Sequence, residues 1–294
     1  TALGFTYRGP IDGHDLPRLM SAITELQSLP GPKLLHIHTL KGKGYGPAEI
    51  DPVGYHALAK IDPIESLITQ QGPTYAQVFG RWICDQAQTD DRLMAITPAM
   101  IGGSGLEPFA QAYGARLFDV AIAEQHALTL AAGMACEGAK PVVAIYSTFL
   151  QCGYDQLIHD IVLQDLDILL AIDRAGVVGE DGSTHTGAYD LAFLRCLPKL
   201  LVMVPSTAAE TRAMLSFGYA HCGPAAVRYP RGEAFEGGPL AAPIELGRGR
   251  LVRSADIANA IAILNFGALL DKAMVVAQAH NATLVDMRFV KPLD

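Results

Sequence analysis

Six short apolar runs recur along the middle of the chain, at Leu93–Thr97, Leu117–Ile122, Val142–Tyr146, Ile168–Asp173, Leu200–Val204 and Ala225–Tyr229. Each is continuous rather than alternating, the pattern of strands in a parallel sheet covered on both faces. Helical patterns lie between them. Thr74 is placed to cap a helix running through Gln88, and Thr207-Ala-Ala-Glu210 reads as a capping box opening another. The strict alternation predicts an α/β fold, a doubly wound parallel sheet over residues 74–240, with ligands beyond the carboxyl ends of its strands.

Two shorter sections flank this domain. In residues 1–50, Gly9 to Asp15 reads as a glycine-rich turn. Asp15 is a candidate N-cap, and Leu16, Leu19, Ile23 and Leu26 form a helical stripe. Pro30-Gly31-Pro32 stops that helix, and Leu34–Leu40 is an apolar strand. One helix and one strand cannot cover both their faces, so this section is expected to be the remnant of a larger domain. Residues 41–73 are rich in glycine and proline, which places an interdomain linker at 51–73. Residues 241–294 begin a further βα pattern: Ile261–Leu264, a helix around Leu270–Ala279, then Thr283–Phe289. The opening without methionine and the stop at Lys291-Pro292-Leu293-Asp294 suggest an internal piece flanked by two incomplete domains.

Composition narrows the function. Of 294 residues half are hydrophobic and 18% are charged, which excludes a disordered chain. A net charge of -8 argues against a nucleic-acid partner, whose footprint is a basic face. The most apolar stretch, Ile257–Leu270, is interrupted by Asn259, Asn265 and Gly267, so no membrane helix is expected. The five cysteines form no Cys-x-x-Cys pair, which favours a reducing cytoplasm over a disulfide framework or a zinc site.

Polar residues directly after the apolar runs carry the candidate chemistry. Glu124 follows one strand in the first turn of a helix, where the helix dipole alone would favour an acid. After Asp173-Arg174, a loop with four glycines holds Glu180, Asp181 and His185, readable as an active-site loop or as a mobile surface one. Tyr146 and Phe149 bracket the end of a third strand and would equally serve as core aromatics. Arg228 and Arg231 follow a fourth and suit an anion, since guanidinium pairs with carboxylate or phosphate through two parallel bonds. Taken together, the four clusters describe a crevice for a small anionic substrate.

Several strings carry a family resemblance: Asp-Val-Ala-Ile-Ala-Glu-Gln-His-Ala (119–127), Ala-Ile-Tyr-Ser-Thr-Phe-Leu-Gln (144–151), Asp-Gly-Ser-Thr-His (181–185), Ala-Val-Arg-Tyr-Pro-Arg-Gly (226–232), Met-Arg-Phe-Val-Lys-Pro-Leu-Asp (287–294) and Gly-Pro-Ile-Asp-Gly-His-Asp (9–15). With them the chain resembles the 1-deoxy-D-xylulose-5-phosphate synthase family, transketolase-like enzymes that use thiamine diphosphate and magnesium. The resemblance implies decarboxylative condensation of pyruvate with glyceraldehyde 3-phosphate, feeding isoprenoid, thiamine and pyridoxal phosphate synthesis, in a cytoplasmic homodimer. It implies that Glu124 hydrogen-bonds the cofactor's pyrimidine nitrogen and that Phe149 stacks on that ring. It makes His185 a proton-transfer or substrate group, Asp181 a positioning group, and Tyr146, Arg174 and Arg231 holders of phosphate or carboxylate. His14 and His56 would line the cofactor cleft from the first section. Three departures stand out. Before Ser104, in the stretch containing Gly103, the family commonly has a glutamate and this chain has glycine. Cys152 occupies a position where the family usually has arginine. The family's Gly-Asp-Gly…Asn metal signature is missing, so the metal ligands are expected outside this sequence and these residues alone are expected to be inactive. Two other readings stay open: a transketolase-group enzyme with a different acceptor, and a non-catalytic binding module.

Overall fold

The computed structural model describes residues 2–52, 55, 72–240, 242–256 and 260–293. They belong to two compact units, over 1–69 and 70–294.

In the first unit, β1 (Thr6–Asp12) and β2 (Lys33–His38) pair in parallel, joined by α1 (Leu16–Gln27). The segment read as a turn is therefore half strand: β1 runs through Gly9-Pro10, and the chain turns only at Gly13-His14. Asp15 caps α1 as expected, its carboxylate accepting from the Arg18 amide at 3.1 Å. The apolar stripe of α1 is largely bare within this unit. Leu26 is buried, whereas Leu16 and Ile23 are exposed. A five-residue helix, α2 (Gly46–Ile50), starts at Gly46-Pro47 inside the segment expected to be loop, because proline at the first turn forfeits no helical hydrogen bond.

The second unit is built on a mostly parallel sheet. Its first elements are α3 (Tyr75–Thr89), β3 (Leu93–Thr97), α4 (Glu107–Tyr113), β4 (Leu117–Asp119), α5 (Glu124–Cys136) and β5 (Lys140–Tyr146). After them come α6 (Ser147–Leu150), α7 (Tyr154–Gln156), β6 (Leu169–Asp173), α8 (Asp190–Arg195), β7 (Leu201–Met203), α9 (Ala208–Ala220) and β8 (Ala225–Arg228). The chain closes with β9 (Arg250–Arg253), β10 (Ala262–Asn265), α10 (Leu270–Ala279), β11 (Thr283–Asp286) and β12 (Phe289–Lys291). The central sheet has the order β12-β7-β8-β6-β5-β3-β4. All its pairings are parallel except β12 with β7.

The continuous apolar runs are explained by two cores. Along β5 and β6, Val142, Ala144, Leu169 and Ala171 face Phe79, Trp82 and Leu215 of α3 and α9. Their neighbours Val143, Ile145, Leu170 and Ile172 face Leu128 and Ala131 of α5 together with Leu157 and Ile161. Alternate residues thus serve opposite layers, and truncating one of the buried aromatics would cost about 3–5 kcal/mol. The N-terminus of α3 carries the full capping box: Gln77 N donates to Thr74 Oγ1 at 3.1 Å, and Thr74 N to Gln77 Oε1 at 2.9 Å. The box expected at Thr207 is only half formed. Thr207 accepts from Glu210 N, but the Glu210 carboxylate is taken by Arg288.

The last section forms its own sheet, β10-β11-β9, over a small core of Leu270, Ala277, Ala282 and Leu284. The apolar run Thr283–Phe289 does not stay in one strand. It breaks at Arg288, whose φ is +59°, and β12 then joins the central sheet antiparallel to β7.

Candidate functional site

Four strands of the central sheet end in polar residues, and tight local geometry brings together side chains that lie at or after the ends of β5, β6 and β8. The run read as Leu117–Ile122 stops early, at Asp119. There a single carboxylate oxygen accepts from Ala99 N (2.9 Å) and Ala121 N (3.0 Å), holding two alanines at φ +61° and +57°. Left-handed backbone is uncommon for residues with a Cβ and persists where the surroundings over-determine it. This turn delivers Glu124 as the first residue of α5, buried at 7% exposure. Among the described residues its carboxylate has no hydrogen-bond or ion-pair partner, and because its oxygens are not among the buried unpaired polar atoms, the small exposed part of Glu124 includes its carboxylate.

At the end of β5, Tyr146 and Phe149 stack with centroids 5.6 Å apart. The edge of His185 meets Phe149 at 5.2 Å. Burial pushes the Tyr146 phenol up to about 12, so it stays protonated as a donor. The Arg174 guanidinium lies 3.8 Å over the Tyr146 ring, a cation–π contact. The loop carrying Asp181 and His185 is cinched at its base, where Gly176 and Gly187 exchange hydrogen bonds of 2.8 and 2.9 Å. Gly187 must be glycine there, since a Cβ would overlap the Arg174 carbonyl and the Ser147 hydroxyl. Thr148 Oγ1 donates to Thr184 O at 3.0 Å and fixes the far end of the loop, while Thr184 Oγ1 sits 2.9 Å from His185 Nδ1. Asp181 joins the arginines, 3.2 Å from Arg231 Nη1 and 3.8 Å from Arg174 Nε.

Tyr146, Phe149, Arg174, Asp181, His185 and Arg231 therefore form one contiguous cluster. Arg228 does not belong to it: its guanidinium is engaged by both oxygens of buried Asp190, at 2.7 and 3.1 Å, so the sequence pair Arg228/Arg231 divides into one arginine held by Asp190 and one that pairs with Asp181 in the cluster. Glu124 lies at the start of α5, whose backbone packs against Gly153 just beyond α6. His14 belongs to the first unit, where it lines a cavity of about 610 Å³ with His36, His38 and Lys43. Its Nε2 accepts from Leu40 N at 2.8 Å, so that nitrogen is committed within the unit. His56 lies outside the described residues. Cys152 is exposed.

Two contributors are visible in the sequence but carry no assigned role there. Asp173 ends an apolar strand, and that placement of an acid was the available signal. It is 1% exposed, and burial pushes its carboxyl up to about 6 against the lowering effect of Arg174. In the sequence Gly103 shows only as part of the stretch before Ser104 where the chain departs from the resembled family, which commonly has a glutamate there. Its carbonyl accepts from Arg174 Nη1 at 2.8 Å, and a Cβ there would overlap the Tyr146 hydroxyl. Among the described residues no cluster of three or more histidine, cysteine or acidic side chains could hold a metal ion, and no helix is long and apolar enough to cross a membrane.

Comparison with known proteins fits this geometry. Residues 71–235 match the family described as transketolase, pyrimidine binding domain, and residues 1–39 match the family described as 1-deoxy-D-xylulose-5-phosphate synthase. The 1-deoxy-D-xylulose-5-phosphate synthase of Pseudomonas syringae pv. tomato is 57% identical over 302 residues, covering 99% of this chain and 47% of the relative. That of Pseudomonas entomophila is 57% identical over 298 residues with the same coverage. The chain thus spans about half the length of these relatives. Among solved structures, a split-gene transketolase described as an inactive beta4 tetramer superposes with a TM-score of 0.66 at 26% identity, over 76% of this chain and 74% of that one. A transketolase of Pichia stipitis, at 16% identity and a TM-score of 0.63 over 74% of this chain and 35% of its own, shares the fold.

Proposed function

Because the chain belongs to the transketolase pyrimidine-binding domain family, we propose that it supplies the pyrimidine-binding and substrate-binding side of a cytoplasmic 1-deoxy-D-xylulose-5-phosphate synthase. That enzyme condenses pyruvate with glyceraldehyde 3-phosphate, and it works as a homodimer. The proposed organisation is a diphosphate-domain remnant at 1–50, a linker at 51–73, the pyrimidine-binding domain at 74–240 and the start of a third domain at 241–294. The unpartnered carboxyl of Glu124, reaching solvent from an otherwise buried residue, carries this reading. It sits at the beginning of α5, at the carboxyl edge of the sheet, where a ligand nitrogen can take up the hydrogen bond that the protein leaves unmade.

Thiamine diphosphate, when bound, supplies a nucleophilic carbon and an electron sink for decarboxylation. The residues here fit its pyrimidine end. Glu124 would hold the ring nitrogen and Phe149 would stack on the ring. They do not fit the Mg²⁺, for which the described residues offer no ligand set. The remaining roles belong to the cluster. His185, its edge against Phe149, would move a proton to or from the substrate oxygen. Arg174 and Arg231 would bind the acceptor phosphate or the pyruvate carboxylate, with Asp181 between them setting their spacing. The stacked aromatic rings exclude water from one side of the crevice.

In the assembled enzyme Glu124→Ala is expected to lower kcat by about 10²–10⁴-fold, the range for losing a positioned proton-handling group. A turnover assay with pyruvate and glyceraldehyde 3-phosphate reads this directly, and an unchanged rate sinks the proposal. An acceptor screen in the same assay tests whether Cys152 marks a different aldehyde specificity. A second reading is a module inactive until joined by the rest of a thiamine enzyme, and the likeness to the inactive tetramer of a split-gene transketolase favours it. Both readings place the metal ligands outside this sequence, so tight magnesium-dependent binding of thiamine diphosphate by the chain alone would contradict both, and turnover of the assembled enzyme separates a catalytic part from a non-catalytic module.

A further inference from the structure

We infer that Asp173 and Gly103 are positioning residues: together they clamp Arg174 so that its buried Nε–H is held unpaired, beside Asp181, as a preformed donor for an anionic substrate oxygen. The inference rests on the proposed substrate-binding role of Arg174 and adds how that residue is held.

Arg174 has φ +56°, and the side chain is bent back onto its own neighbour. Asp173 Oδ1 accepts from the Arg174 amide at 2.5 Å, while Asp173 Oδ2 accepts from Arg174 Nη1 at 2.7 Å. One carboxylate thus fixes both the strained backbone and the guanidinium of the next residue. Gly103 O takes Nη1 from the other side at 2.8 Å. The Tyr146 ring supports the guanidinium plane from 3.8 Å, and the missing Cβ of Gly103 is what makes room for the Tyr146 hydroxyl. With Nη1 occupied twice and the plane fixed, Nε is left buried without a hydrogen-bond partner. Asp181 Oδ2 stands 3.8 Å from it, beyond hydrogen-bond reach. A buried guanidinium donor left unmet is costly, and a substrate phosphate or carboxylate oxygen that displaces the Asp181 carboxylate from beside Arg174 would satisfy it. Asp173 lies beneath the arginine, 1% exposed, and so acts through Arg174 rather than on substrate.

Asp173→Asn keeps the shape and removes the charge, and Gly103→Ala displaces Tyr146 without touching the carboxylate. In the ¹⁵N spectrum of this chain, the Arg174 Nε–H, assigned with Arg174→Lys, is expected to be protected from exchange and shifted by the Tyr146 ring. Both variants should speed its exchange at least about tenfold. In the thiamine-diphosphate-loaded enzyme containing this chain, Asp173→Asn should raise the KM of one anionic substrate about 10–100-fold, the range for a lost charge-assisted hydrogen bond. The other KM and kcat should stay within about twofold. A selective rise for glyceraldehyde 3-phosphate identifies a phosphate subsite, and one for pyruvate a carboxylate subsite. The clamp is overturned if the Arg174 signal is unchanged in both variants, or if kcat falls alone, or if both KM values rise equally, as a merely structural residue would cause. Should the wild-type enzyme not perform the condensation, the proposed function fails, while the exchange measurement still decides the clamp.

Discussion

Two arginines in this protein adopt left-handed backbone beside a buried carboxylate, Arg174 at φ +56° and Arg288 at φ +59°, and they serve opposite ends. Arg288 is 2% exposed and fully spoken for. Its Nε and Nη2 reach Glu210, the shortest bond being 2.6 Å, Nη2 also meets Ala242 O at 3.0 Å, and Nη1 meets Pro243 O at 2.9 Å. Around it Asp286 accepts from Ser206 at 2.6 Å and pairs with Arg250 at 3.3 Å. This network ties α9 to the turn between β11 and β12. Arg174 has the same backbone and a comparable carboxylate, yet its Nε is left unmet. A saturated buried arginine locks two segments together, whereas a clamped but unsaturated one is a binding group awaiting its ligand.

The contrast breaks most visibly at Glu210. Glu210→Ala strands a guanidinium that cannot shed its proton, so a loss of about 3–5 kcal/mol is expected in urea unfolding. A loss below about 1 kcal/mol would mean that the Arg288 network is not a staple. Arg174→Met should cost less stability, about 1–3 kcal/mol, because the carboxyl it abandons can take up a proton. Its main effect should instead be on substrate affinity, and the same unfolding series compares the two arginines directly.

The smallest effect is on pH dependence. Burial holds Asp173 at about 6, with Arg174 and Arg231 opposing that rise. Its ordinary value is 3.8, so in this window the folded protein binds the proton more readily than the unfolded chain does. Asp173 therefore weakens the fold at neutral pH, and that penalty is relieved as pH falls through about 6. Wild type should gain stability relative to Asp173→Asn between pH 7 and pH 5 in parallel thermal melts, and the opposite slope would contradict the buried-acid assignment. Substrate affinity should move the other way, since the neutral acid releases Arg174.

Much of the fold was legible because its signals are local. The core strands announce themselves as unbroken apolar runs, and the caps at Asp15 and Thr74 need only a side chain and an amide three residues away. The failures share a cause. The run Thr283–Phe289 looks like one strand, and nothing within it shows that Arg288 will turn the chain toward Glu210, 78 positions earlier. Thr207 and Glu210 have the spacing of a capping box, but a buried arginine outcompetes the cap for the carboxylate. Arg228 and Arg231 look equivalent until Asp190 takes the first.

The sequence by itself determined the parallel α/β architecture, the family, and which residue types stand at the carboxyl ends of the strands. Those properties follow from hydrophobic period and from motifs contiguous in the chain. Only the tertiary structure decided which arginine joins the cluster, that Gly103 must be empty for Tyr146 to stand where it does, and that Asp173 holds Arg174 with its buried Nε unmet. Each of these depends on donors, acceptors and volumes brought together from distant parts of the chain. A buried polar group's role is set by which of its hydrogen bonds the fold has already satisfied.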